Sequence, residues 1–148
     1  MAYKWSEEPV EFNETPTCIL RTYGNINVSI SKLPKNSWVY YWIAQPESTS
    51  INLQDKDEAY KLGHKGLARA DGSGSLSFRV ERPYGYIGDH VEVKELYNHQ
   101  RVFNDDANNE MVNYAGPHVH YQVLDNNMLS KTHTIKMTYM NDYKVSHE

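Results

Sequence analysis

A single cysteine, Cys18, stands among the 148 residues. With no second thiol in the chain, neither an intramolecular disulfide framework nor a cysteine-based structural zinc site can hold the fold. Long apolar runs are equally absent. No stretch approaches the ~18 residues that would cross a bilayer as a helix, and the opening MAYKWSEEPVEF carries no apolar signal segment. A membrane is therefore not an expected partner, and an intracellular location is favoured, with a place in a virus particle also compatible. Runs of Lys and Arg are missing as well. The 15 Lys+Arg are outnumbered by 19 Asp+Glu, giving a net charge of −4. Nucleic-acid binding rests on neutralising phosphates, so nucleic acid is not expected as a partner. Self-association is left open by the composition.

Helical periodicity is the last scarcity. Few segments keep apolar residues at helical spacing over three turns, whereas many alternate or form short β-branched and aromatic runs bounded by turn residues. The expected class is all-β: an antiparallel β-sandwich of about seven or eight strands, in one domain spanning 1–148. A chain of this length buries roughly 70% of its unfolded surface and needs no metal merely to fold. What the chain has in excess is tyrosine, 12 residues beside 3 Phe and 3 Trp, together with 7 His.

The first strand is expected at Thr17–Tyr23, with Cys18 as a small buried hydrophobe, and the second at Ile26–Ile30. A turn at Pro34–Asn36 precedes Ser37–Ala44, whose nearly continuous apolar character suits a central strand covered on both faces. From Gln45 to Lys65 the pattern dissolves into a long loop of the kind that carries function, with one helical turn over Asp55–Leu62. A tight turn at Ala70–Gly74 leads into Ser75–Glu81, where Leu76, Phe78 and Val80 alternate with polar residues. Val91–Leu96 reads as a strand and Tyr97–Ala115 as a second polar loop. His118–Leu124 alternates again, Asp125–Asn127 turns, Leu129–Met140 resumes as a strand, and Asn141–Glu148 reads as a polar tail.

The sharpest chemical feature is Gly116-Pro117-His118-Val119-His120-Tyr121. Side chains at i and i+2 of a strand point to one face, so His118 and His120 can approach one ion from a rigid backbone. Imidazole suits iron, copper and zinc. The bland alternative is two His on the solvated face of a sandwich strand. Against it, the pair follows a long polar loop, and no Lys or Glu stands at the outward positions of this strand. His133, alternating with Ile135 and Met137, reads as a core or rim residue, and His64 as a loop residue. Trp38, Tyr40 and Trp42 form an aromatic stripe whose default role on a central strand is packing.

The run Ala70-Asp71-Gly72-Ser73-Gly74-Ser75-Leu76-Ser77-Phe78-Arg79-Val80-Glu81-Arg82-Pro83-Tyr84-Gly85-Tyr86, followed by the His pair, resembles the intradiol ring-cleavage dioxygenases that act on catechol and protocatechuate. Asp71, Gly74, Phe78, Arg79, Pro83 and Tyr86 fall in step with that family's motifs, and Val39–Gln45 is similar to its strand upstream. The resemblance covers roughly Ser37 to Val123. It implies a mononuclear Fe(III) site with two tyrosinates and two histidines, oxidative cleavage of a catechol-type aromatic, and a small aromatic or polyhydroxylated ligand. Residue by residue, Tyr86 would be one phenolate, with Tyr84 in reserve, and His118 and His120 the imidazoles. The family's other tyrosine would fall near Ser50, where Pro46–Ser50 contains no phenol. Tyr60, Tyr41, His90, His99 and Tyr114 are the alternatives for a fourth ligand. The family's arginine just before the His pair is also absent, Asn113–Pro117 standing there. A different transition metal, or a catalytically inactive sandwich serving as a binding or structural module, is the competing expectation.

Overall fold

The computed structural model describes residues 5–47, 56–87, 100–105 and 110–148. In chain order its elements are β1 (Val10–Glu11), β2 (Ile26–Ser31), β3 (Trp38–Ile43), α1 (Lys56–Lys61), β4 (His64–Arg69), β5 (Leu76–Val80), β6 (Tyr86–Ile87), β7 (Gln100–Asp105), β8 (Glu110–Ala115), β9 (His118–Asp125), β10 (Met128–Leu129), β11 (His133–Lys136) and β12 (Asp142–Ser146). One sheet has the order β1-β10-β9-β3-β4, with β11 also on β9, and a second has the order β12-β2-β5. A shorter third sheet, β6-β8-β7, is a separate ladder. The protein is an all-β sandwich.

The sandwich interior follows from period-two alternation. Ile26, Val28 and Ile30 of β2 and Leu76, Phe78 and Val80 of β5 meet Val39, Tyr41 and Ile43 of β3 and Val119, Tyr121 and Val123 of β9 in one apolar cluster. Tyr41 stacks on Phe78 with ring centroids 3.7 Å apart. That ring fits because its partner across the ladder is Gly66, where a Cβ would come within 2.0 Å of the Tyr41 ring. The central position of β3 is as expected, and so is its burial on both faces. A separate apolar cluster lies on the second face of β3 and β9. Phe12 and Leu129 pack on Tyr40, Leu67 and Leu124 there. The Asp125–Asn127 turn closes a two-residue hairpin, with Asn126 at φ 49° and Asn127 at φ 62°, the mirror-image turn whose twist suits flanking strands.

Several expectations are corrected. Thr17–Tyr23 is not a strand: only Leu20 pairs, in an isolated bridge to Leu67. Thr22 bonds the Tyr41 hydroxyl at 2.7 Å and the Arg79 carbonyl at 2.5 Å, which holds the segment across the open side of the sandwich rather than in register. Cys18 is exposed, not buried. His64–Arg69, read as loop and its margin, forms β4, because Gly66, Leu67 and Ala68 complete the edge beside β3. Tyr97–Ala115 contains the paired strands β7 and β8, whose apolar residues Val102-Phe103 and Met111-Val112 fall in adjacent pairs and so do not alternate. Leu129–Met140 is interrupted into β10 and β11. Asn141–Glu148 is no tail, since β12 pairs parallel to β2 and buries Tyr143 in the core. That parallel pair also departs from a purely antiparallel sandwich, and the strands are more numerous and shorter than expected. Val91–Leu96 lies outside the described residues.

Candidate metal centre

His118 and His120 point to the same face of β9, as the spacing requires, and that face is not solvated. Both imidazoles are buried, at 1% and 5% exposure. The bland alternative of two histidines on a solvated face is therefore excluded: the second face of this sheet is roofed, and the pair lies under the roof. Register fixes what lies alongside, with His120 opposite Trp42 on β3 and opposite Thr134 on β11.

The other two arms of the site come from the connections flanking β3 and β5. The Gln45 amide donates to the Ala59 carbonyl at 2.7 Å, and the Gln45 carbonyl accepts from the Tyr84 amide at 2.8 Å. The Glu47 amide donates to the Arg82 carbonyl at 2.9 Å, next to the Pro46–Pro83 bridge. The end of β3 thus pins both α1 and the 82–86 segment. Gly63 completes the placement of α1: its amide donates to the Tyr60 carbonyl at 3.2 Å, and a Cβ there would lie 2.0 Å from the Ile43 carbonyl oxygen. Ala44, Ala59, Tyr86 and Ala115 form a small apolar cluster with Tyr60 against it. Three alanines leave room for two phenol rings.

The result is a convergence of four donor atoms. Tyr60 Oη lies 2.9 Å from His118 Nε2 and 3.1 Å from Tyr86 Oη. Tyr86 Oη lies 3.3 Å from His118 Nε2, and the two imidazole Nε2 atoms are 2.9 Å apart. The outer nitrogens are held as well. His118 Nδ1 is 2.6 Å from the Gly116 carbonyl, which can only accept, so Nδ1 carries a proton and the neutral ring turns a bare Nε2 inward. His120 Nδ1 is 3.0 Å from Thr134 Oγ1.

This geometry fits a first-row transition ion. His118 Nε2 has one lone pair, yet three polar atoms crowd it at hydrogen-bonding distance, more than one acceptor site can serve. Donors held about 2.0–2.1 Å from a common ion, with neighbours subtending about 90–109°, stand roughly 2.9–3.4 Å from one another. The separations of the three other donors from His118 Nε2, 2.9, 2.9 and 3.3 Å, and that between the two phenol oxygens, 3.1 Å, fall in that range. Burial raises the phenol pKa of both tyrosines. Neighbouring Tyr86 raises Tyr60 further, while the hydrogen bond from Tyr60 partly offsets the rise at Tyr86. Both phenols are therefore neutral until a strong positive charge arrives between them. Among the described residues no group of three or more His, Cys, Asp or Glu gathers anywhere. The imidazole pair needs the two phenols to make a ligand set.

Beside the centre, Trp5 stands edge-on to His120, Tyr60 and Trp42 at centroid distances of 4.6, 4.9 and 5.4 Å. A cavity of about 250 Å³ is bounded by Trp5, Trp42, Ile43, Tyr60, Lys61 and Lys65. The structure brings Tyr86, His118 and His120 together. Of the alternatives for a fourth donor, Tyr60 joins them. Tyr41 points into the sandwich interior on the opposite face, and Tyr84 is not needed. His90, His99 and the Ser50 position lie outside the described residues, as does the side chain of Tyr114. Thr134, Gly116 and Trp5 were missed by sequence reasoning. Cross-strand register and a backbone carbonyl leave no motif, and Trp5 lies far from every other member in sequence. Comparisons with protein-family models, with curated proteins and with solved structures find no match.

Proposed function

We propose that the chain binds one Fe(III) through Tyr60, Tyr86, His118 and His120 and uses it for intradiol-type oxidative cleavage of a catechol-like aromatic. The observation that carries this reading is the gathering of Tyr60 Oη, Tyr86 Oη and His120 Nε2 within 2.9–3.3 Å of His118 Nε2, with the two phenol oxygens 3.1 Å apart, in a buried site. Phenolate is a hard, strongly donating oxygen ligand that suits a trivalent ion, and a bound cation drives a phenol's pKa down from its ordinary ~10. A ferric ion supplies a Lewis acid that favours the deprotonated diol and makes its ring reactive toward dioxygen, opening it between the two hydroxyls.

The chain's own contributions can be derived separately. Gly116 and Thr134 orient the imidazoles so that both Nε2 atoms face inward. Tyr86, on β6 and deeply buried, is a fixed donor. Tyr60, on the six-residue α1, would be the second phenol donor, and only as a phenolate on a bound ion could its Oη take the proton of an entering hydroxyl. Trp5 and Trp42 exclude water from one side and offer flat apolar walls. The adjoining space suits a single substituted ring, given that an apolar cavity of ~150 Å³ already holds benzene.

The test is spectroscopic and then catalytic. Purified protein reconstituted with iron should hold about one iron per chain and show the visible charge-transfer colour of tyrosinate–Fe(III). Adding a catechol should shift that band and start oxygen uptake. Protein that stays colourless and metal-free after incubation with iron and copper refutes the reading. Coloured, iron-loaded protein that consumes no oxygen with any catechol favours the second reading, a metal-holding sandwich acting as a binding or structural module. That reading is supported by Asn113–Pro117 standing where the family carries arginine.

A further inference from the structure

A second cluster of imidazoles lies on the opposite face of β9 and takes no part in the centre described above. Alternation along β9 sends Tyr121 away from His118 and His120, toward the rim of the sandwich interior. Register sets His133 of β11 directly across from Tyr121, and their rings stack at 5.0 Å with 19° between planes. His147 reaches the same place from the other sheet. It follows β12, and its amide donates to the Ser31 carbonyl at 2.9 Å, which fixes its backbone. Its ring stands 4.9 Å from that of His133, and its Nδ1 is 3.0 Å from Tyr121 Oη.

From this juxtaposition we propose that His133, His147 and the Tyr121 hydroxyl form a second site, for a divalent transition-metal ion such as Cu(II), Ni(II) or Zn(II). Both rings are half-buried, which leaves one side open for an ion to enter with its remaining waters. No hydrogen bond holds a His133 ring nitrogen among the described residues, so that imidazole's donor atoms are uncommitted. No carboxylate forms an ion pair with either histidine among the described residues. Glu148, the neighbour of His147, is instead paired with Lys32 at 3.6 Å on the surface. Burial, then the neighbouring His147 and Lys131, hold the His133 pKa down to about 4, and burial lowers that of His147. Both rings are therefore unprotonated near neutral pH and present lone pairs without competition from protons. Imidazole with a phenol oxygen is a donor set that divalent copper, nickel and zinc accept, copper most tightly. Lys131 opposes the incoming charge, and only two strong donors are present, so the site is weaker than a closed structural one. An ion there would join β11 in one sheet to the end of β12 in the other, a cross-sheet tie.

The inference is independent of the iron reading and is tested with the full chain, first reconstituted with iron. Cu(II) and Ni(II) are titrated into wild-type protein and into His133→Gln, His147→Gln and the double variant, in a non-coordinating buffer. Binding is followed by dialysis and by electron paramagnetic resonance of copper. The wild type is expected to take one copper with imidazole nitrogen hyperfine structure. Each single variant is expected to lose about tenfold or more in affinity, since one of two imidazole donors is gone. The tie also predicts that Ni(II) raises the Tm of the wild type and not that of His147→Gln, a readout that survives if the double variant fails to fold. Copper binding unchanged in His133→Gln and His147→Gln overturns the proposal. So does a nitrogen signature that disappears only with His118→Gln and His120→Gln.

Discussion

Tyr60→Phe separates a metal centre from a merely hydrogen-bonded cluster, because the two cases respond oppositely to loss of one oxygen. In the metal-free chain Tyr60 Oη competes with Tyr86 Oη and His120 Nε2 for the single inward lone pair of His118. Removing one of three competitors leaves the acceptor satisfied and relieves crowding. The cost to stability should stay at or below the ~1 kcal/mol of an ordinary hydrogen bond. For a domain of this size that is a Tm change of about 2–5 °C. With iron the outcome is different. One of four protein donors is lost, and with it one of the two negative charges that balance a trivalent ion. A hundredfold weakening of binding removes about 2.7 kcal/mol of ligand-linked stabilisation when free iron is otherwise well above its Kd. The assay is a thermal melt of wild type and Tyr60→Phe, each with and without iron, beside the visible spectrum. The expected result is near-identical melts without iron, with the iron-induced rise in Tm and the charge-transfer colour both strongly reduced in the variant. Equal iron content, colour and thermal shift in Tyr60→Phe would refute a role for Tyr60 as a ligand. A collapse of the metal-free variant would refute the claim that its hydroxyl is replaceable there.

The sandwich was legible where a strand alternates or is apolar throughout. Ile26–Ile30, Ser37–Ala44, Ser75–Glu81 and His118–Leu124 declare themselves because each buries a face in the main core. The segments that escaped are those without a clean period-two trace in their sequence. In β7 and β8 the apolar residues Val102-Phe103 and Met111-Val112 fall in adjacent pairs among Gln, Arg, Asn, Asp and Glu, so alternation does not mark them. β12 has only Tyr143 and Val145 facing inward among Asp, Lys and Ser. Thr17–Tyr23 failed in the other direction, since Ile19 and Leu20 look like strand residues yet stand 48% and 40% exposed. The centre shows the same division. His118 and His120 follow from spacing along one strand, while Tyr86 follows from its motif. Tyr60 is brought in by the backbone bonds of Gln45 to Ala59 and Tyr84, which tie a one-turn helix to the end of β3. Such a tie has no sequence signature, so Tyr60 could only stand as one phenol among several. Burial of the pair was not legible for a related reason. The roof over this face is made by remote segments, including Trp5 and α1, which no local pattern connects to β9.

Three further predictions follow from this geometry. Thr134→Val keeps the shape of the side chain but removes the oxygen 3.0 Å from His120 Nδ1. It should weaken iron binding about 10–100-fold with little change in metal-free stability, measured by competition with a chelator. Replacing both His118 and His120 by Ala should abolish metal binding. Because both rings are buried, it should also cost about 2–5 kcal/mol in denaturant unfolding, where solvated histidines would cost almost nothing. The third prediction concerns acid, in protein freed of divalent metal. The folded chain holds His133 near a pKa of about 4, below the ordinary value of 6.5, through burial and the charges of His147 and Lys131. The unfolded chain regains the ordinary value, so between these limits it binds more protons than the folded one. Stability is therefore fully present above pH 6.5 and is lost as the pH falls toward 4. Because the ring is half exposed, solvent screening reduces the contribution to about 1–2 kcal/mol. Carboxylates dominate acid unfolding below about pH 5, so the measurement is the urea midpoint of wild type and His133→Gln between pH 7 and pH 5. The wild type should lose stability more steeply over that interval. Parallel slopes would mean that His133 is as solvated in the folded chain as in the unfolded one.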